Sequence, residues 1–206
     1  MSLARFCRPL LLVSGTLLVA GLVLTGLNML VIGWSVYTVG YIALMLALLA
    51  VAAVNRERMD GWSWAGLAVL FVGLVIGLTS LASIWSSYAQ TGLAGAPMRL
   101  PVDAAPLGYA GELITWAGLA FFALAARGAK VLPGPIAWAF VAASVIGLLA
   151  AFRALAPMYW VLAILIVALV VLWMGAAMAD HAGAASNEAD AEAEAVRARS
   201  HQTDSV

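Results

Sequence analysis

The chain has 206 residues, of which 65% are hydrophobic and only 10% charged, and its formal net charge is zero. Soluble domains contain roughly 45–50% apolar and about 25% charged residues, so this excess of apolar surface is too large to bury within a small globule. Lipid is therefore the expected solvent, and the neutral balance excludes a nucleic-acid-binding protein, which needs a basic face.

Six stretches of the chain are long and apolar enough to cross a bilayer, since about 20 residues span a hydrocarbon core of roughly 30 Å. None of them alternates apolar and polar residues as a barrel strand does. The expected fold class is therefore an all-α integral membrane protein, a bundle of about six transmembrane helices. In chain order, the predicted spans cover about 9–33, 37–54, 64–86, 107–126, 135–153 and 157–179.

The polar segments between the spans agree with this count. Residues 55–61 (NRERMDG) are rich in charge, and residues 128–135 contain glycine, lysine and two prolines. Residues 1–179 therefore form the transmembrane domain, and residues 180–206 a polar cytoplasmic tail. Acidic residues occupy every second position of 188–194, so they would surround a helix and leave it no apolar face. We expect this acidic tail to be mostly disordered.

The basic residues predict the orientation of the bundle. With six spans, eight of the ten lie on one side, and only Arg99 and Arg153 lie on the other. Because arginine and lysine favour cytoplasmic loops, both termini are expected in the cytoplasm. Nine of the ten are arginine, and alanine and glycine are abundant, a composition typical of GC-rich bacteria. The expected location is the plasma or inner membrane of a bacterial cell.

Small residues recur along one face of the third span. Gly66, Gly73, Gly77 and Ser80 follow one another at helical steps, and Gly73 and Gly77 form a GxxxG spacing. Small side chains allow a second helix to approach closely, so that dispersion forces and weak hydrogen bonds act between the backbones. This pattern predicts a helix-packing face, either within the bundle or in a homodimer.

A few polar residues lie in the outer halves of the predicted spans. Glu112 is about one turn inside the fourth span, and Arg153 ends the fifth span on the same side. Asn28 and Tyr41 are predicted at a similar depth. One interpretation is a structural pair of Glu112 with Arg153 near the headgroups. In the alternatives, Glu112 binds a small polar or cationic ligand in an outward-facing cavity, or simply faces water.

The chain lacks the patterns of the common membrane enzymes. No histidine lies in a predicted span, the single cysteine has no partner, and neither a GxSxG nor a Walker A motif occurs. These features exclude paired haem ligation, a histidine-based zinc site, thiol–disulfide exchange and P-loop nucleotide binding. We therefore expect no catalytic residues, no metal and no cofactor.

Two hypotheses for function remain. The first is a non-enzymatic multi-pass protein, an accessory or structural subunit of a membrane complex or a small envelope or stress protein. Its partners would be the lipid bilayer and other membrane subunits or a second copy. The alternative is a small carrier or permease with a polar site around Glu112 and Arg153. Transporters usually bind substrates near the midplane beside broken helices, and no proline interrupts a span here.

Overall fold

The computed structural model describes residues 4–27, 30–93, 104–152, 159 and 161–176, and these residues form helices joined by short turns and contain no strand. Five of the helices are long and apolar enough to cross a membrane, and one further apolar helix is shorter. The prediction of an all-helical chain is confirmed. The helices are α1 (Ala4–Gly26), α2 (Leu30–Val54), α3 (Gly61–Leu93), α4 (Ala104–Gly128), α5 (Gly134–Ala151) and α6 (Val161–Ala176).

The first turn of the chain lies earlier than the predicted spans place it. Helix α1 ends at Gly26 and α2 begins at Leu30, so residues 30–33, assigned to the first span, belong to α2. No charged residue separates these two helices, and hydropathy therefore gave no signal for the turn. Helix α3 also continues to Leu93, beyond the predicted end at residue 86. The prediction ended earlier because hydropathy marks the part of a helix that suits the membrane, and not the end of the helix itself.

Helices α3 and α4 pack as an antiparallel pair whose backbones are in direct contact. A Cβ atom added at Gly66 would lie 2.7 Å from the Cα of Phe122, and one added at Gly73 would lie 2.7 Å from the Cα of Thr115. From the other side, a Cβ at Gly111 would lie 2.8 Å from the backbone nitrogen of Gly77. No side-chain carbon fits at these distances, so glycine is required for this approach.

Glycines also set the spacing of the remaining helices. A Cβ at Gly21 of α1 would lie 2.8 Å from the Cβ of Tyr37 in α2. A Cβ at Gly15 would lie 2.9 Å from the carbonyl oxygen of Ala168, which joins α1 to α6. In α5, Gly147 packs directly against the indole ring of Trp116 in α4.

Buried hydroxyl groups in the bundle are bonded within their own helices. The hydroxyl of Ser14 donates to the carbonyl of Leu11 at 2.9 Å, and that of Ser144 donates to the carbonyl of Phe140 at 2.7 Å. Thr115 does the same with Gly111 at 2.7 Å. An apolar interior requires every buried hydroxyl to have a hydrogen-bond partner. Bonding within the helix meets this requirement without a polar group on another helix.

The start of α3 is fixed by a side-chain cap. The carboxylate of Asp60 accepts hydrogen bonds from the backbone N–H of Ser63 at 2.8 Å and from its hydroxyl at 2.5 Å. These bonds stabilise the ionised form and hold the pKa of the Asp60 carboxyl below its ordinary value. Aspartate at this position satisfies one of the free N–H groups of the first helical turn.

The outward surface of the helices is apolar. Val39, Val72 and Leu169 are each 53% exposed, and Val145 is 49% exposed. Exposed apolar side chains occur singly on soluble proteins, but repeated exposure of large apolar side chains along several helices does not. This surface is the one expected of helices whose outer faces contact lipid.

Two glycines of α3 provide a matched test of the backbone contact. Substituting Gly73→Ala should lower the free energy of unfolding by about 1–3 kcal/mol, because the new methyl group collides with Thr115. Substituting Gly77→Ala should leave stability unchanged or raise it by up to about 1 kcal/mol, since its Cβ meets no atom within 4 Å and alanine favours helix. Chemical unfolding in mild detergent measures both, and equal effects would contradict the packing described.

Candidate functional site

Three aromatic rings of α2 form a cluster, and the carboxyl group of Glu112 in α4 lies within electrostatic range of two of them. Tyr37 and Tyr41 are one turn apart on α2, with ring centroids 4.8 Å apart and planes inclined by 46°. Trp34 meets Tyr37 edge-on at 6.1 Å. Glu112 of α4 interacts electrostatically with both tyrosines. The site therefore combines one carboxyl group with the rings of Tyr37 and Tyr41, and Trp34 packs edge-on against Tyr37.

The helix packing explains why these side chains meet. Gly21 of α1 allows the backbone of α2 to approach at Tyr37, which leaves this tyrosine only 5% exposed. Tyr41 and Glu112 are half-buried. Gly111 and Thr115 hold α4 against α3, so Glu112, next to Gly111 in the chain, projects from a helix whose position is fixed.

The structure describes two of the four residues predicted as a polar cluster. Glu112 lies within electrostatic range of Tyr41, and Asn28 and Arg153 lie outside the described residues.

Of the four residues of the predicted packing face, Gly66 and Gly73 present their Cβ positions to α4 of the same chain, whereas a Cβ at Gly77 would meet no atom within 4 Å. Gly66 and Gly73 face Phe122 and Thr115, and the backbone of Gly77 touches Gly111. The side chain of Ser80 lies outside the described part.

Sequence reasoning missed Tyr37 and Trp34 as members of the cluster. The predicted spans leave Trp34 between the first two spans and Tyr37 at the start of the second, a level at which tyrosine and tryptophan are common. The available signal was the spacing of Tyr37 and Tyr41, which puts both rings on one helical face. The predicted second span already contained both rings but placed Tyr37 at its end, whereas α2 begins at Leu30 and Tyr37 lies two turns inside the helix.

A small cavity lies below the cluster, at the centre of the bundle. Its volume is about 20 Å³, which is enough for one water molecule. All six helices contribute to its wall, and its lining is almost entirely apolar. The lining residues are Leu18, Tyr41, Leu44, Leu48, Leu70, Leu74, Thr115, Trp116, Leu119, Phe140, Ile164 and Val167.

The chemistry available to this site is narrow. Within the described residues, no group of three histidine, cysteine, aspartate or glutamate side chains could hold a metal ion. A carboxylate beside aromatic rings can accept a proton or attract an organic cation. Tyr41 belongs both to the cluster and to the cavity wall, so it links Glu112 to the centre of the bundle.

Comparison with known proteins gives no relative from which to transfer a function. No protein-family model, no curated protein and no solved structure matches the chain. The site therefore has to be interpreted from its own residues.

Coupling between Glu112 and Tyr41 can be measured directly. In a double-mutant cycle of Glu112→Gln and Tyr41→Phe, unfolding in detergent should show a coupling energy of about 0.5–3 kcal/mol, the usual range for residues in contact. The control pairs Glu112→Gln with Ser144→Ala, because the hydroxyl of Ser144 bonds within α5. The effects of these two substitutions on the free energy of unfolding should be additive. A coupling no larger than in this control would mean that the two side chains do not interact.

Proposed function

We propose that the chain is a non-enzymatic multi-pass membrane protein that acts as an accessory or structural subunit of a membrane complex. The observation that carries this proposal is the small cavity where side chains of all six helices meet at the centre of the described bundle, which measures about 20 Å³. A carrier or an enzyme needs room for a substrate, and typical ligand pockets measure about 300–1,000 Å³. A structural subunit needs no internal pocket, because it acts through its outer surface.

The proposed arrangement has six spans with both termini in the cytoplasm of a bacterial cell. Arg56 and Arg58 follow α2, and Arg127 and Lys130 lie at the end of α4. Because α3 and α4 are antiparallel, these two basic segments belong to the same end of the bundle. Basic residues on one side support a cytoplasmic location for that end.

A small carrier is the second candidate, and one observation favours it. Glu112 interacts with Tyr37 and Tyr41, and Tyr41 reaches the central cavity, so a conformational change could extend this cavity towards a charged group. Rings around a carboxylate suit an organic ammonium ion, which is attracted by the charge and by the aromatic faces.

The subunit proposal predicts that other proteins purify with this chain in fixed ratio. The full-length protein, tagged and produced at its native level, would be extracted in mild detergent and studied by mass spectrometry. A tagged, unrelated six-span protein at the same level serves as the control. Partners present in stoichiometric amounts only with this chain are expected. Isolation of the chain alone, or as a homodimer, would contradict the proposal.

The carrier alternative predicts a ligand that depends on Glu112. Tetraethylammonium should raise the unfolding temperature of the wild type in detergent, and Glu112→Gln should abolish this rise. Glu57→Gln is the matched control, since Glu57 is an exposed carboxylate in the connection between α2 and α3. No stabilisation of the wild type, or equal loss in both variants, would speak against an organic-cation site at Glu112.

A further inference from the structure

An arginine and a tryptophan form an exposed pair between α4 and α5. The guanidinium carbon of Arg127 lies 4.8 Å from the centre of the Trp138 ring. Arg127 is exposed, and Trp138 is 51% exposed. Stacking on one face of the ring orients the guanidinium while the N–H groups along its edge remain able to bind an anion.

The surroundings of this pair are basic. Lys130 follows one turn later and is exposed, in a left-handed conformation with φ 58°. Its backbone N–H donates to the carbonyl of Arg127 at 3.0 Å, which keeps both residues in one tight turn. The carboxylates described at this end are Glu57 and Asp60, and Asp60 accepts its hydrogen bonds from Ser63. The turn therefore presents two cations.

An apolar track leads away from the pair along the helices. On α5, Trp138, Val145 and Leu149 are exposed at helical spacing, with exposures of 51%, 49% and 42%. On α4, Leu124 is 46% exposed and lies one turn before Arg127. A ligand that contacts both the cations and this track must carry an anionic head and an apolar tail.

We propose that Arg127, Lys130 and Trp138 bind the headgroup of an anionic phospholipid whose acyl chains lie along α4 and α5. A planar guanidinium forms two parallel hydrogen bonds with a phosphodiester, and tryptophan prefers the headgroup level of a bilayer. Basic pockets between transmembrane helices bind anionic lipid headgroups through this combination. A free phosphate ion would use the cations but gain nothing from the apolar track.

The test compares lipid retention by full-length variants. Wild-type protein, Arg127→Gln, Trp138→Leu and Arg8→Gln would be placed in nanodiscs of phosphatidylcholine with a minor share of phosphatidylglycerol. Native mass spectrometry then counts the lipids that remain bound. Arg8→Gln is the matched control, because Arg8 is also exposed, lies in the first turns of α1, and loses the same charge.

The wild type should retain phosphatidylglycerol in preference to phosphatidylcholine. Arg127→Gln should reduce this preference about five-fold, the factor for one surface cation, and Trp138→Leu about two- to five-fold. Arg8→Gln should leave it unchanged. Absence of a preference in the wild type, or an equal loss in Arg8→Gln, would overturn the proposal. Trp138→Leu does not change the charge of the chain. A loss of lipid preference in this variant therefore distinguishes binding at a specific site from attraction by surface charge in general.

Discussion

The apolar outer surface of the helices, which suits hydrocarbon and not water, is the constraint on which this structure depends. Backbone N–H and carbonyl groups have no water to bind inside a bilayer, so each span must satisfy them internally as a helix. The described helices do this, and the buried hydroxyls of Ser14, Thr115 and Ser144 bond to their own backbones as well. Once lipid covers the outer faces, the hydrophobic effect no longer holds the helices to one another.

Close contact between helix backbones must then hold the helices together. Glycines at the contact of α3 with α4, and of α1 with α2 and α6, bring the helix backbones within van der Waals distance. The same closeness explains the small central cavity, because helices that touch through their backbones leave little space between them. It also fixes Glu112 beside Tyr37 and Tyr41, so the polar cluster is a consequence of the packing.

Composition and hydropathy were sufficient to predict a helical chain with several spans, because both depend on properties of single residues. The turn near residue 27 was not predictable in this way, since α1 and α2 are joined without a charged residue. The proximity of Glu112 to Tyr37 depends on how α2 and α4 are rotated, and a helix that is apolar on all sides carries no periodicity that reports its rotation. The small-residue spacing at Gly66 and Gly73 indicated a close contact, but not which helix makes it.

The most direct test of this account is whether exposed apolar side chains face lipid. In a Cys7→Ser background, single cysteines at Lys130 and Val145 would be treated with a membrane-impermeant thiol reagent in membranes opened to both sides. Both positions are exposed, Lys130 in the turn after α4 and Val145 midway along α5. The account predicts rapid labelling of Lys130→Cys and protection of Val145→Cys until detergent is added. Equal labelling of the two would show that water, and not lipid, covers the helices.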